Sequence, residues 1–192
     1  MERSRLLVTD PALQALRQAT VSLIMTLGKN MKEDQIAFDS LILNWDDFYW
    51  LGHIQNIGML GREVAVHIDT KDEEKMAPHP SQIDVWKRIV SKDAHYAEII
   101  RNGLFQYYCR IRPQYERAGP EWIANMPIIT RKEEIDEFLN LNYIQVFWPY
   151  DSKEPKIGFS YACTWDREHG AGIVIKGDEI VDAGSADCLF ST

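Results

Sequence analysis

In residues 157–166, bulky side chains alternate with small ones, and this alternation constrains the fold more than any other feature of the sequence. A two-residue period is that of a β-strand, whose successive side chains point to opposite faces of the sheet. A bulky face fits a hydrophobic core, whereas a small face fits close packing against a helix or a second sheet. We therefore predict a strand with both faces covered. The bulky positions are Ile157, Phe159, Tyr161, Cys163 and Trp165.

Two further strands are predicted after this one. Residues 173–175 are three branched apolar residues, which are typical of a strand that returns beside the first. Residues 176–179 have the composition of a turn, and Ile180 and Val181 begin the next strand. The simplest arrangement is a three-stranded antiparallel meander, in which residues 165–172 form the joint between the first two strands.

The joint contains the densest group of chemically capable side chains in the sequence. Asp166, Glu168 and His169 provide two carboxylates and an imidazole within four residues, enough for acid–base chemistry or part of a metal site. The structural alternative is that Asp166 accepts hydrogen bonds from turn amides while a backbone carbonyl fixes His169. A zinc site needs further ligands at recognisable spacing, so we predict no metal and no cofactor. No such spacing is present in the remaining histidines, His53, His67, His79 and His95.

A family resemblance rests on the same residues. The sequence WDREHG at residues 165–170, followed by VDAG at residues 181–184, resembles the W-D-x-E-H-G signature of a bacterial domain family of unknown function. The likeness extends upstream to residues 45–52 and covers about three quarters of the chain. The resemblance implies an immunity-type or other partner-binding role, and it assigns no catalytic residue to this sequence.

The chain length fits one main domain with an N-terminal extension. A chain of 192 residues that is 45% hydrophobic can build one sizeable core. Near the N-terminus, Asp10 can cap a helix and Pro11 fits its first position. We therefore predict an amphipathic helical extension in residues 1–34 and a single domain in residues 35–192. The helix packs either on the sheet or on a second copy of the chain, which leaves a homodimer open. Its apolar stripe comprises Leu13, Leu16, Leu23, Ile24 and Leu27.

Charge and composition restrict the partners. The net charge of −8 argues against nucleic acids and anionic membranes as partners, because phosphate binding needs a concentrated basic surface. A basic protein suits this charge better. The three cysteines show no paired spacing, and no segment has the length and hydrophobicity of a membrane span. These features predict a cytoplasmic protein.

A hairpin is predicted between residues 48–57 and residues 64–68. Val64, Val66 and Ile68 alternate with polar and small residues, so His67 is expected to face solvent or to bond a neighbouring strand. The acidic segment at residues 69–74 has two interpretations. It is either a solvated loop or a docking patch for a cationic partner.

Helices are predicted between this hairpin and the last strands. Ser81 can cap one helix, a longer helix over residues 93–112 ends before Pro113, and Thr130 with Glu133 matches a capping box. Because the helices are grouped between runs of strands, the fold class is α+β. We predict an antiparallel sheet of about five to six strands that packs against this group of helices.

Two functions from different classes remain. The first is a non-enzymatic, immunity-type factor that binds a basic protein, such as a toxin, through exposed aromatic anchors and complementary charge. The second is a metal-assisted or acid–base hydrolase that uses the cluster at the joint. For the first function, the expected binding residues are Trp50, Trp122, Trp165, Asp166, Glu168 and His169.

Overall fold

The computed structural model describes residues 33–54, 63–150 and 154–190. These residues form an α+β fold in which helices cover one face of a single sheet, so the predicted fold class is confirmed. The predicted N-terminal helix lies outside the described residues. The sheet has eight strands in the described part of the chain, so the expectation of five to six was wrong.

The strands lie in the sheet in the order in which they follow one another in the chain. Neighbouring strands are antiparallel except for β4 and β5, which are parallel because the chain crosses the sheet through helices between them. The expected antiparallel sheet is therefore a mixed sheet. The strands are β1 (Gln35–Phe38), β2 (Leu41–Asp46), β3 (Tyr49–Ile54), β4 (Val64–Asp69), β5 (Leu139–Val146), β6 (Ile157–Cys163), β7 (Ala171–Lys176) and β8 (Glu179–Gly184).

The first hairpin, β1–β2, accounts for the two strands that we did not predict. Phe38 pairs with Leu41 across a two-residue turn, and both side chains are buried. Asp39 in this turn has a left-handed backbone with φ of 51°, a conformation that aspartate adopts more easily than most residues. Leu41 and Leu43 alternate with less buried residues, so the strand pattern was present in the sequence.

Two helices cover the first face of the sheet. Helix α1 begins after His79, whose side chain accepts a hydrogen bond from the Ser81 amide, so the cap is His79 and not Ser81. Helix α2 continues five residues past Pro113, contrary to our prediction. Packing of Tyr115 against the core and a 3.0 Å ion pair from Arg112 to Glu116 support this last part. The helices are α1 (Pro80–Ser91), α2 (Asp93–Ala118) and α3 (Pro120–Ile123).

Three short 3₁₀ helices complete the described part of the fold, at Lys71–Glu73, Lys132–Phe138 and Ala186–Phe190. At the start of the second, Glu134 accepts hydrogen bonds from the Thr130 and Arg131 amides, a role that we had assigned to Glu133. Within the described residues, no helix combines the length and the apolar character needed to cross a membrane.

The main core lies between helix α2 and the first face of the sheet. A row of paired residues crosses this face, from Val66 through Ile144 and Phe159 to Ile173, and all four are fully buried. Gly103 lets α2 approach closely, since a Cβ there would lie 2.4 Å from the Cδ1 atom of Ile173. The helix therefore packs closely against the bulky face of the sheet.

The C-terminal 3₁₀ helix, Ala186–Phe190, packs on the second face of the sheet. It covers the small residues predicted to allow close packing: a Cβ on Gly158 would lie 2.9 Å from Cγ of Leu189, and one on Gly172 would lie 2.8 Å from Sγ of Cys188. Strand β6 is therefore covered on both faces over most of its length, as predicted, and the meander β6–β7–β8 is confirmed.

Candidate functional site

The joint between β6 and β7 is a tight turn held by Asp166. One carboxylate oxygen of Asp166 accepts hydrogen bonds from the His169 amide at 2.9 Å and from the His169 ring Nδ1 at 3.2 Å. Gly170 closes the turn with a φ of 68°, and a Cβ there would lie 2.3 Å from the Tyr161 carbonyl oxygen. The first feature of the predicted structural alternative is therefore present, since Asp166 accepts from a turn amide, whereas the second was wrong, because the Asp166 carboxylate and not a backbone carbonyl holds the imidazole.

Of the predicted site residues at the joint, Asp166 and His169 are in direct contact. The hydrogen bond to Asp166 raises the pKa of the exposed His169, and the negative charge of Glu168 acts in the same direction. Trp165 is buried, with its ring 5.5 Å from that of Tyr108 in an edge-to-face contact. Trp165 therefore anchors the joint in the core. Among the described residues, no three side chains of His, Cys, Asp or Glu are grouped closely enough to hold a metal ion.

A cleft that the sequence analysis did not predict lies on the second face of the sheet, with a volume of about 550 Å³. It is located where the parallel strands β4 and β5 end, the region of a sheet in which loops from neighbouring strands separate and leave room for ligands. Six aromatic rings line it: Phe48, Tyr49, His67, Tyr143, Tyr150 and Phe190. Its polar lining comprises Asp69, Thr70, Glu73 and Gln145.

Three of the rings form a stack across strands β3, β4 and β5. The His67 ring lies 4.4 Å from Tyr49 and 4.7 Å from Tyr143, with interplanar angles of 18° and 8°. Because tyrosines cover both faces of the imidazole, only its edge is available to a ligand. Burial lowers the pKa of His67, so the ring is neutral near pH 7.

Asp69 is the half-buried carboxylate of the cleft. Burial raises its pKa to about 6, the nearby charge of Glu73 raises it too, and a hydrogen bond from Gln145 opposes the rise. The Gln145 amide nitrogen lies 3.1 and 3.0 Å from the two carboxylate oxygens. Among the described residues, no lysine or arginine lines the cleft or forms an ion pair with Asp69.

Buried hydrogen bonds fix the strand ends that carry the cleft. The fully buried Gln82 of helix α1 donates to the carbonyl oxygens of Asp69 and Val146 at 3.0 Å, and to that of Phe147 at 3.2 Å. One amide thus joins the ends of β4 and β5. In the adjoining loop, Asp72 and Glu73 both have positive φ, at 53° and 61°. Such backbone strain in consecutive residues is concentrated at functional sites more than elsewhere.

The predicted anchor Trp50 is not exposed. Only 2% of its surface is accessible, and its indole nitrogen donates to the Met76 carbonyl oxygen at 2.6 Å. The error arose because Trp50 lies on the face of β3 that the helices cover. Trp122 is 58% exposed and contacts Tyr115 edge to face, so its exposure is as expected.

The joint and the cleft lie at opposite ends of the sheet. Cys163, just before the joint, pairs with the first residue of β5, whereas Gly158 pairs with Gln145 in the cleft. Five residues of extended strand separate these two pairs, a distance of roughly 17 Å. The site residues that sequence reasoning missed are therefore distant from those it selected. The available signal was the acidic segment at residues 69–74, which we had considered as a docking patch.

The fold and cleft define an α+β domain with a ligand-sized, acidic and aromatic site at the ends of two parallel strands. The chain belongs to the family described as Domain of unknown function (DUF6985), whose model matches residues 20–190. This agrees with the family resemblance found in the sequence. No match was found among curated proteins or solved structures.

Proposed function

We propose that this protein is a non-enzymatic binding factor whose cleft receives a basic part of a protein partner. The observation that carries the proposal is the half-buried carboxylate of Asp69, which lines an aromatic cleft where none of the described residues places a basic side chain beside it. A cation from a partner would remove much of the cost of ionising Asp69.

The composition of the cleft supports a partner with both apolar and cationic groups. Phe48, Tyr150 and Phe190 are each more than half exposed and supply apolar surface at the rim. Aromatic side chains are enriched among the residues that contribute most to protein interfaces. The net charge of −8 would in addition accelerate association with a basic protein.

The proposed role is of the immunity type, in which binding neutralises a basic toxin in the cytoplasm. This proposal predicts that the partner arrests growth when it is produced alone and that co-production of this chain restores growth. Asp69→Asn should abolish the rescue. Asp182→Asn is the matched control, because Asp182 lies on strand β8, away from the cleft residues, and its substitution changes the net charge equally.

The test begins with identification of the partner and ends with purified components. Proteins from the source cell that are retained by the wild type and by Asp182→Asn would be identified by mass spectrometry and purified, and the partner is the one whose growth arrest this chain relieves. Titration calorimetry should then show a loss of affinity of about tenfold or more for Asp69→Asn, the loss expected when one partner of a buried charge pair is removed. Equal affinities of the purified partner for all three proteins would refute the proposal.

An acid–base hydrolase at the joint is the second candidate. The specific observation in its favour is the 3.2 Å contact between Asp166 and the His169 ring, which orients the imidazole as in many general bases. If His169 is the base, His169→Ala should abolish hydrolysis while leaving the folded fraction unchanged. A panel of ester, amide and phosphoester substrates would be tested at pH 7 with this variant and with Glu168→Gln.

A further inference from the structure

We propose that the cleft selects the ammonium group of a lysine side chain over the guanidinium group of an arginine. This inference rests on the proposed function and names the chemical group of the partner that the cleft binds. It follows from the way Gln145 and the aromatic stack already occupy the two positions that an arginine would use.

The first of these positions is the space between the two oxygens of Asp69. Arginine binds a carboxylate best as a fork, with two parallel hydrogen bonds to the two oxygens. The Gln145 nitrogen lies 3.1 and 3.0 Å from these oxygens and therefore sits where the fork would have to sit. The outer lone pairs of each oxygen remain as acceptors. An ammonium group, with three donors on a freely rotating stem, can bond a single oxygen from this outer side.

The second position is an aromatic face on which a guanidinium plane could stack. Tyr49 and Tyr143 cover the two faces of the His67 ring. Neither face of His67 is therefore open to a ligand, and neither are the tyrosine faces that contact it. A guanidinium therefore cannot stack on the imidazole of His67, the aromatic ring in the middle of the stack. The aliphatic stem of a lysine needs only apolar contact, which the exposed rings of Tyr150 and Phe190 at the rim provide.

The charge and the volume of the cleft fit one lysine side chain together with the residues next to it in the partner. Asp69 and Glu73 both line the cleft, so the charges of both carboxylates attract an ammonium group that enters it. A volume of about 550 Å³ lies within the range of sites that enclose drug-sized ligands, which is larger than one side chain. The cleft can therefore enclose a lysine together with parts of the adjacent residues.

The test uses three acetylated and amidated tripeptides, Gly-Lys-Gly, Gly-Arg-Gly and Gly-acetyllysine-Gly, titrated into the ¹⁵N-labelled full chain. The lysine peptide should give saturable shifts at the cleft and bind about fivefold or more tightly than the arginine peptide. The acetyllysine peptide, which has no charge, should not saturate. Arginine binding as tightly as lysine, acetyllysine binding as tightly as lysine, or no binding of the lysine peptide would each overturn the inference.

A variant provides a sharper version of this test. Gln145→Ala opens the space between the Asp69 oxygens, so the arginine peptide should gain affinity relative to the lysine peptide and the preference should fall about fivefold or more. Asn140→Ala, an exposed position on the same strand, is the matched control and should keep the preference of the wild type. An unchanged preference in Gln145→Ala would refute the role assigned to Gln145.

Failure of this inference and failure of the proposed function give different results. If the partner binds in an Asp69-dependent manner but the tripeptides show no preference for lysine, the proposed function stands and the lysine inference is wrong. If the lysine peptide binds selectively but the affinity of the partner is the same for Asp69→Asn, the inference stands and the proposed partner site is wrong.

Discussion

Gln145 donates from its side-chain nitrogen to both carboxylate oxygens of Asp69, which lies 76 residues earlier in the chain. A hydrogen bond to a carboxylate favours its ionised form, yet burial prevails and raises the pKa of Asp69 to about 6. At neutral pH the fold therefore contains a carboxylate whose charge is unfavourable. A group of this kind at the edge of a cleft is typical of a site that binds an opposite charge.

Asp69→Asn should stabilise the protein at neutral pH. The folded-state pKa of Asp69 lies above its ordinary value of 3.8, so ionisation destabilises the fold increasingly from about pH 4 to pH 6, and the cost persists above pH 6. Because solvent reaches the cleft, we expect a gain on the order of 1 to 2 kcal/mol in the free energy of unfolding at pH 7 and almost none at pH 4.

Urea unfolding of Asp69→Asn at the two pH values tests this expectation. Asp182→Asn, on strand β8, should differ from the wild type by less than about 0.5 kcal/mol at either pH. A loss of stability in Asp69→Asn at pH 7 would show that the Asp69 charge supports the fold, contrary to our account.

Binding of the lysine tripeptide should strengthen as the pH rises through 6. Asp69 is mostly neutral at pH 5 and ionised at pH 7.5, whereas the lysine ammonium is charged at both, so affinity should rise about tenfold. Protonation of His67 at acidic pH would act in the same direction, since it adds positive charge beside the site. Titrations at half-unit pH intervals measure the dependence.

The same pH titration of Asp69→Asn separates the contribution of Asp69 from that of His67. In this variant the part of the pH dependence due to Asp69 disappears, and the part due to His67 remains. A wild-type affinity that is constant between pH 5 and pH 7.5 would be incompatible with Asp69 as the acceptor.

Gly172→Ala should weaken both the fold and binding at the cleft. A Cβ at Gly172 would lie 2.9 Å from the Cα atom of Ala186, so the C-terminal 3₁₀ helix would have to move. We expect a loss of about 1 to 3 kcal/mol in the free energy of unfolding. Because the same helix ends at Phe190 in the cleft, binding of the lysine tripeptide should also weaken.

Gly184→Ala is the control for this substitution. The nearest atom to a Cβ at Gly184 is Cβ of Cys188 at 3.8 Å, an ordinary van der Waals contact. The free energy of unfolding of Gly184→Ala, measured by urea unfolding, should stay within about 0.5 kcal/mol of that of the wild type. Equal stability of the two alanine variants would contradict the close packing described on the second face of the sheet.

Asp166→Ala should destabilise the joint without affecting partner binding. The substitution removes the acceptor of the His169 amide and ring, with an expected cost on the order of 1 to 2 kcal/mol. Asp166→Asn keeps one acceptor oxygen and should recover most of the loss. Loss of partner affinity in Asp166→Ala, with its stability unchanged, would instead identify the joint as the binding site.

The contact between Asp166 and His169 should also make the free energy of unfolding depend on pH. Asp166 raises the pKa of His169 in the folded state, so their interaction stabilises the fold below the ordinary histidine pKa of 6.5 and is lost as the pH rises through the folded-state value. Unfolding curves between pH 5 and pH 8 should show this decline in the wild type and a smaller one in Asp166→Asn. An identical decline in both proteins would exclude the contact as its cause.

The sequence predicted those parts of the fold whose signals are local. The alternation from Ile157 to Trp165 identified β6, and helical spacing identified α2, because burial of one face imposes a period on neighbouring residues. The parallel pairing of β4 with β5 had no local signal. Ile68 and Val146 pair across three α-helices and two 3₁₀ helices, and no turn between the strands indicates their register.

The cleft was missed for the same reason. His67 alone is an alternating polar residue of a strand, and Tyr143 alone is an ordinary strand residue, but parallel pairing places their rings 4.7 Å apart. At the joint the signal was local: Asp166 and His169 lie three residues apart in the sequence, and this spacing suggested a chemical role beside the structural one. Their hydrogen bonds show that this proximity closes a turn.

The most direct test of the account is to map the partner on the ¹⁵N-labelled protein by amide chemical shifts. We predict that the purified partner shifts the signals of Tyr49, His67, Asp69 and Tyr143, and leaves those of Asp166 and His169 unchanged. Shifts confined to the joint, with the cleft signals unchanged, would contradict it.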